Sequence, residues 1–257
     1  MNPLPSRLLL NVDTGERGAD HAVDHELVKH ADVVNLACGG HAGDDESIRV
    51  FSGLAKRLGK TVAAHLSYPD REHFGRRRLD ISEAELQRAL DAQRARLPEP
   101  ECVKFHGALY HEADRDPALA RTLAAWLTQA GFTIAIAPVP GALARESRER
   151  GMRVLAEGFV ERRYHRPPEN PPDIDVTQAV LMPRSHPDAC LETLPEALAQ
   201  AEDLITQGEV RLYPDGAACR VEAETLCIHS DSPIALELAA ALAERLRCGS
   251  GVGEGRP

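Results

Sequence analysis

Seven short apolar runs recur along the chain: LLLNV (8–12), VVNLA (33–37), TVAAH (61–65), CVKFH (102–106), TIAIA (133–137), RVLAE (153–157) and TLCIH (225–229). None alternates cleanly between apolar and polar positions, so they predict strands covered on both faces, as in a parallel sheet. The stretches between them carry helix signals. Ser82-x-x-Glu85 is a capping box ahead of LQRALDAQRARL. Asp116-Pro117 and Ser232-Pro233 each set an N-cap before a proline suited to the first helical position. Asp44 or Asp45 can cap a helix over 46–58 that stops near Gly59, and Trp126 and Leu127 fall on an apolar helix face that predicts core. Strand and helix in strict alternation predict a parallel α/β fold with right-handed crossovers.

Two segments break the rhythm. Residues 163–178 (RYHRPPENPPDIDVTQ) predict a long loop, read as a lid or specificity loop, and 210–221 (VRLYPDGAACRV) predict a hairpin about Pro214-Asp215-Gly216. The last nine residues, 249–257, have nothing to bury and predict a disordered tail after a single domain over 1–248. Lys plus Arg is 30 against 40 for Asp plus Glu, a net charge of −10, which argues against a nucleic-acid or anionic-membrane partner. No apolar run approaches a membrane span, and the N-terminus lacks a signal-peptide cleavage site. Six cysteines without CxxC spacing indicate neither a zinc knuckle nor a disulfide scaffold, so the expectation is a reduced, cytoplasmic protein.

Most of the apolar runs end in a group capable of chemistry. The first leads into Asn11, Asp13 and Glu16, the second into Asn35, His41 and Asp44, and the third ends at His65. The fourth carries Lys104 and ends at His106, the sixth ends at Glu157, and the last at His229 with Asp231 beyond. Parallel strands present their C-terminal ends on one side, so these groups converge on one rim, where α/β barrels keep their active sites. Lys104 and His106 lie two apart on one strand and face the interior together, which predicts a carboxylate partner or a substrate anion for the ammonium. The other histidines (His21, His25, His30, His73, His165) predict surface positions. Asp13 with two of His41, His65 and His106 could hold Zn²⁺ or another divalent cation, though no HExxH spacing supports it. Without a metal the same groups could act as general acid, general base and oxyanion donors. Cys38 beside His41 is either a nucleophile or buried filler, and Arg76-Arg77-Arg78 is either a solvated charge run or an anion clamp. Neither a phosphate loop nor a GxSxG elbow is present.

Six blocks in order resemble the LamB/YcsF family of bacterial 5-oxoprolinase A subunits over nearly the whole chain. LNVDTGE (10–16) is similar to LNCDLGE, NLACGGHAGD (35–44) to NIACGFHAGD, and AAHLSYPD with FGRR (63–70, 74–77) to GAHPSYPD and FGRR. VKFHGALYH (103–111) is similar to VKPHGALYN, MPRS (182–185) to VPRS, and CIHSD (227–231) to CVHGD. The resemblance implies a seven-stranded parallel β/α barrel of the glycoside hydrolase/deacetylase type. It implies ATP-dependent opening of 5-oxoproline to glutamate together with B and C subunits, ATP being a co-substrate. Carried over position by position, it implies catalytic roles for Asp13, His41, His65, Lys104, His106, His229 and Asp231. Substrate contacts fall to Glu16, Asn35, Asp44, Tyr68, Asp70, Arg76, Tyr110 and Arg184, and a metal, if bound, to Asp13, His41 and His65. Val12, Gly40, Leu66, Phe105, His111 and Ser230 depart from the pattern, and Glu161 stands where Asp is usual. The polar groups are kept while their lining changes, so another lactam or amide could be the substrate. Two other readings stay open: a stand-alone metal-dependent deacetylase or amidohydrolase, and a non-catalytic sugar- or metabolite-binding subunit.

Overall fold

The apolar runs form the wall of a barrel. A computed structural model describes residues 7–98, 100–167 and 179–248. Its first six strands are β1 (Leu9–Thr14), β2 (Val33–Ala37), β3 (Thr61–Leu66), β4 (Cys102–Phe105), β5 (Ile134–Ala137) and β6 (Arg153–Phe159). Four short strands follow, β7 (Tyr164–His165), β8 (Val180–Leu181), β9 (Glu209–Tyr213) and β10 (Ala218–Arg220), which make a separate sheet in the order β10-β9-β7-β8. Strand β11 (Thr225–Ile228) then closes the barrel in the order β1-β11-β6-β5-β4-β3-β2, every pair parallel. Helices α1 (Ala22–His30), α2 (Asp45–Arg57), α3 (Glu83–Arg94), α4 (Gly107–Arg115), α5 (Pro117–Gln129), α6 (Ala142–Glu149), α7 (Leu194–Thr206) and α8 (Ala235–Cys248) surround it. This is the seven-stranded parallel barrel that the sequence implied.

The strands lack surface-type alternation because the barrel has a different inner and outer chemistry. Outward residues such as Leu10, Val12, Leu36, Leu66 and Phe105 join the main core beneath the helices. Inward, Leu9, Val33, Ala63, Cys102, Ile136 and Leu155 form a small apolar cluster that plugs one end. One period of two further along, the inward positions become Asn11, Asn35, His65, Lys104 and Glu157, all buried. The interior thus changes from an apolar floor to a polar ceiling toward the C-terminal ends of the strands.

The caps expected at Ser82, Asp44 and Asp116 form: Ser82 and Asp44 close capping boxes, and Asp116 accepts from Ala118 and Leu119 N–H. The expected cap at Ser232 does not form. Helix α8 begins at Ala235, and the Ser232 hydroxyl is buried without a partner. The 210–221 hairpin is β9 and β10, paired antiparallel. Of the expected 163–178 loop, residues 164–165 are strand β7, while 168–178 and the expected tail at 249–257 lie outside the described residues. Trp126 and Leu127 are buried as expected. All six cysteines are free, and among the described residues no helix is long and apolar enough to cross a membrane.

Candidate functional site

Lys104 sits at the centre of the polar ceiling. Its Nζ lies 3.0 Å from Asp13 Oδ1, 2.8 Å from Glu157 Oε1, 3.3 Å from Asn11 Oδ1 and 3.0 Å from Cys227 Sγ. Burial alone would depress its pKa, but Asp13, Cys227 and Glu157 outweigh burial and raise it well above the ordinary lysine value. Burial likewise pushes Asp13 up, and His65 and Lys104 more than reverse that, holding its carboxyl well below the usual range. Asn35 Nδ2 donates to Asp13 at 2.9 Å and to Asn11 at 2.7 Å, so side chains from β1, β2, β4, β6 and β11 meet in one network. Tyr110, on α4, donates to Glu157 Oε2 at 2.7 Å.

Beside this network three imidazoles gather around Glu16. His41 Nε2 lies 2.9 Å from Glu16 Oε1, His106 Nδ1 3.4 Å and His65 Nε2 3.6 Å. His41 and His106 stack face to face, ring centres 3.7 Å apart, and His65 meets both edge-on. Burial lowers the pKa of His41, and burial followed by the neighbouring His41 and His65 imidazoles lowers that of His106 well below the ordinary value. Glu16 is brought here by the loop after β1, where Asp24 accepts from Gly15 N–H at 2.8 Å and Gly15 takes φ +76°. Phe74 packs edge-on against His41 and His106 and holds φ +55°, a conformation that costs a bulky residue about 1–3 kcal/mol and concentrates at functional sites.

Across the mouth, His229 Nδ1 and backbone N–H both donate to Glu161 Oε1, which leaves Nε2 directed at Asp13 Oδ2, 3.7 Å away. Asp231 bridges two guanidinium groups, Arg184 at 3.0 Å and Arg76 at 3.3 Å. Burial raises Asp231, but Arg184, His229 and Arg76 lower it overall. A cavity of about 520 Å³ is lined by Asp13, His65, Lys104, His106 and His229 together with Arg76, Arg162 and Arg184. Phe105, Phe159, Leu181 and Pro183 line it as well. Its size is that of a small-molecule site.

Of the residues singled out by sequence, Asp13, His65, Arg76, Lys104, His106, Tyr110, Arg184 and His229 line this cavity directly. Glu16, Asn35, His41 and Asp231 touch the lining groups from behind. Three others are engaged elsewhere. Asp44 caps α2, Tyr68 donates to Glu112 at 2.7 Å, and Asp70 holds His73 at 3.0 Å. Two groups of donor atoms converge closely enough to hold a metal ion: Glu16, His41, His65 and His106, and Asp13, Cys227 and His229. The set drawn from sequence, Asp13 with His41 and His65, is divided between them. Cys38 is buried, its thiol is pushed up to about 12 by burial, and it donates to Leu36 O, so it is filler rather than nucleophile. Arg76 reaches the cavity, while Arg77 and Arg78 are exposed.

Sequence marks Asn11 and Glu157 as rim groups without a role, while it does not place Glu161 and Arg162 in the site at all. Glu157 and Asn11 carried the available signal, a polar residue at an inward strand position. The departure at position 40 also has a structural correlate. Gly40 leaves open the volume that the Gln93 amide fills, and Gln93 accepts from Ser67 N–H at 3.0 Å and donates to Ser67 O at 2.9 Å.

Two results are expected from this geometry. Gly107 has φ +58°, and a Cβ there would lie 2.4 Å from the Gly75 carbonyl oxygen. Gly107→Ala is expected to lower Tm by about 3 °C or more, because a left-handed alanine alone costs about 1 kcal/mol before the clash. An unchanged Tm would show that the turn relaxes freely. The second concerns pH. Burial depresses His111 to about 4, below the 6.5 of the unfolded chain. The unfolded state therefore binds more protons between these values, and stability falls as pH drops through that window. His111→Asn should flatten the fall by at most about 1.4 kcal/mol per pH unit. Asp114, raised by burial to about 7, acts in the opposite sense but is common to both proteins. Parallel Tm–pH curves from pH 7 to pH 5 would refute the assignment.

The chain is 34% identical over 247 residues to the 5-oxoprolinase A subunit of Neisseria meningitidis serogroup A / serotype 4A (strain DSM 15465 / Z2491), spanning 92% of this chain and 94% of that one. It is 36% identical over 244 residues to the 5-oxoprolinase A subunit of Chloroflexus aggregans, spanning 91% and 92%. The crystal structure of a lactam utilization protein from Thermus thermophilus matches with TM-score 0.78 and 33% identity, over 95% of this chain and 97% of that one. The rim chemistry and the barrel beneath it sit in a sequence that the LamB/YcsF family model matches over residues 8–252, and the chain belongs to the LamB/YcsF family.

Proposed function

We propose that this chain is the A subunit of an ATP-dependent 5-oxoprolinase, which opens the lactam of 5-oxoproline to L-glutamate together with B and C subunits. The observation that carries the reading is a single cavity lined both by acid–base groups and by guanidinium groups. 5-Oxoproline has matching groups, a cyclic amide and a carboxylate. Arg76 and Arg184, already bridged by Asp231, offer charge-assisted donors to that carboxylate. The names of the relatives and of the solved neighbour agree with this substrate class.

In ring opening, the oxygen of a water adds to the carbonyl carbon, the C–N bond breaks, and the nitrogen takes up a proton. His229, oriented by Glu161 with Nε2 free, is placed to take the water's proton and return it to nitrogen. The Lys104 ammonium, fixed by Asp13 and Glu157, sets a positive charge beside the place where the carbonyl oxygen gains negative charge. A five-membered lactam is an unreactive amide, so ATP activates it first: the γ-phosphoryl group passes to the lactam oxygen as ADP leaves. The water then adds to the activated carbon, C–N cleavage leaves an acyl phosphate, and a second water releases phosphate and glutamate. The chain has no phosphate loop, which suits ATP handling shared with the partner subunits.

The test is glutamate release from 5-oxoproline and ATP, by the chain alone and with its B and C subunits. Release that needs all components is expected. No release from the complete set, with another amide hydrolysed by the chain alone and without ATP, would establish the amidohydrolase reading instead.

A further inference from the structure

The contact between His65 and His106 has no consistent arrangement of protons if both rings are neutral. His65 Nδ1 lies 3.2 Å from the Lys104 carbonyl oxygen and His106 Nε2 lies 3.0 Å from the Phe74 carbonyl oxygen. A carbonyl only accepts, so both of these nitrogens carry hydrogen. The remaining nitrogens, His65 Nε2 and His106 Nδ1, are then bare lone pairs facing each other at 3.0 Å. Something positive must lie between them. Glu16 Oε1 adds a carboxylate oxygen beside both, and His41 Nε2 closes the group from the far side of the stack.

We propose that Glu16, His41, His65 and His106 bind a divalent transition-metal ion, zinc or a metal of similar preference for imidazole and carboxylate. The four donor atoms all lie within 4.8 Å of one another. Four of the six donor–donor separations, those of Glu16 to each imidazole and of His65 to His106, run from 2.9 to 3.6 Å. They bracket the edge of about 3.3 Å expected of a tetrahedron with bonds of 2.0–2.1 Å. The outer nitrogens of His65 and His106 donate to backbone carbonyls, which is how metal-ligating imidazoles are commonly oriented. The strained Phe74 fits the same role, since its carbonyl is the acceptor that sets the His106 ring. The second convergent group is unsuited to a cation. The Lys104 ammonium already contacts both Asp13 and Cys227 at 3.0 Å and would repel one. Because His65 and His106 line the cavity, an ion held here would serve it as a Lewis acid.

The competing occupant is a proton, which would make His65 an imidazolium donating to His106. The two are separated by stripping the purified full chain with chelator and reloading it with Zn²⁺ or Co²⁺ in the absence of substrate. One equivalent retained after desalting, a raised Tm and visible ligand-field absorption with Co²⁺ are expected. His106→Ala and Glu16→Gln should each weaken binding at least tenfold, while Cys227→Ser keeps the stoichiometry. No retained metal and no Tm shift in the wild-type chain would mean that a proton holds the contact and would overturn the proposal. So would binding that survives both ligand variants, or that Cys227→Ser abolishes. The wild-type measurements stand even if a variant fails to fold. Since no lactam is present, the outcome is independent of the 5-oxoprolinase reading.

Discussion

Asp13→Asn is expected to reduce turnover about a hundredfold or more per folded molecule, the scale of losing acid–base help. The carboxylate touches Lys104 at 3.0 Å and Asn35 at 2.9 Å, with His65 at 3.4 Å and His229 at 3.7 Å. It is therefore the group through which the lysine network, His65 and His229 are held in one arrangement. The substitution keeps the shape and removes the charge that sets ammonium and imidazoles in place. The alternative is that Asp13 only braces the barrel. In that case Tm would fall while the surviving folded fraction turned over at the wild-type rate. Activity normalised to the folded fraction decides between them, and near-wild-type turnover would end the catalytic assignment.

Lys104→Met is expected to stop turnover and to destabilise the barrel as well. From sequence alone the loss should fall far more on activity than on fold. The structure changes that expectation, because one ammonium serves both Asp13 and Glu157. Breaking a buried ion pair by removing one partner costs about 3–5 kcal/mol. In a chain of this size that corresponds to a Tm lower by roughly 10 °C. The pH dependence gives the effect a signature. In the wild-type chain Asp13 is depressed, so its contribution is present above the unfolded value of 3.8 and lost as pH falls through its folded value. In the variant Asp13 loses one of the cations that oppose its burial, so its carboxyl moves up from that depressed value. The stability lost through Asp13 is therefore largest where the carboxyl is charged and disappears where it is protonated. The Tm gap between variant and wild type should narrow as pH falls through and below the unfolded value of 3.8. A gap that stays constant or widens there would show that the lysine does not hold Asp13 depressed. Full activity with the partner subunits would refute its catalytic role.

Much of this architecture was legible in local pattern. Seven apolar runs with helix caps between them determined a parallel α/β fold, because each strand must bury both faces and each crossover needs a helix, while its closure into a seven-stranded barrel came from the family resemblance. Polar residues at the ends of those runs located the rim, since parallel strands share one C-terminal side. The pairing of Lys104 with a carboxylate also followed locally, from its place two residues before His106 and the cost of an unpaired charge indoors. Which carboxylates was not legible. Asp13 and Glu157 are far apart in sequence and meet only through barrel closure, which sets β1 beside β11 and β11 beside β6. Asp44 and Asp70 show the converse. They belong to the same sequence blocks as His41 and His65, yet the backbone turns each toward a local task, a helix cap and a histidine contact. The donor set drawn from sequence, Asp13 with His41 and His65, is divided between two groups for the same reason. Sequence names the donor types, but only tertiary structure puts Lys104 against Asp13 and leaves Glu16 with three imidazoles. Periodicity is a property of neighbouring residues and survives in one dimension. A ligand set or an ion pair depends on distances between strands, which exist only once the barrel has closed.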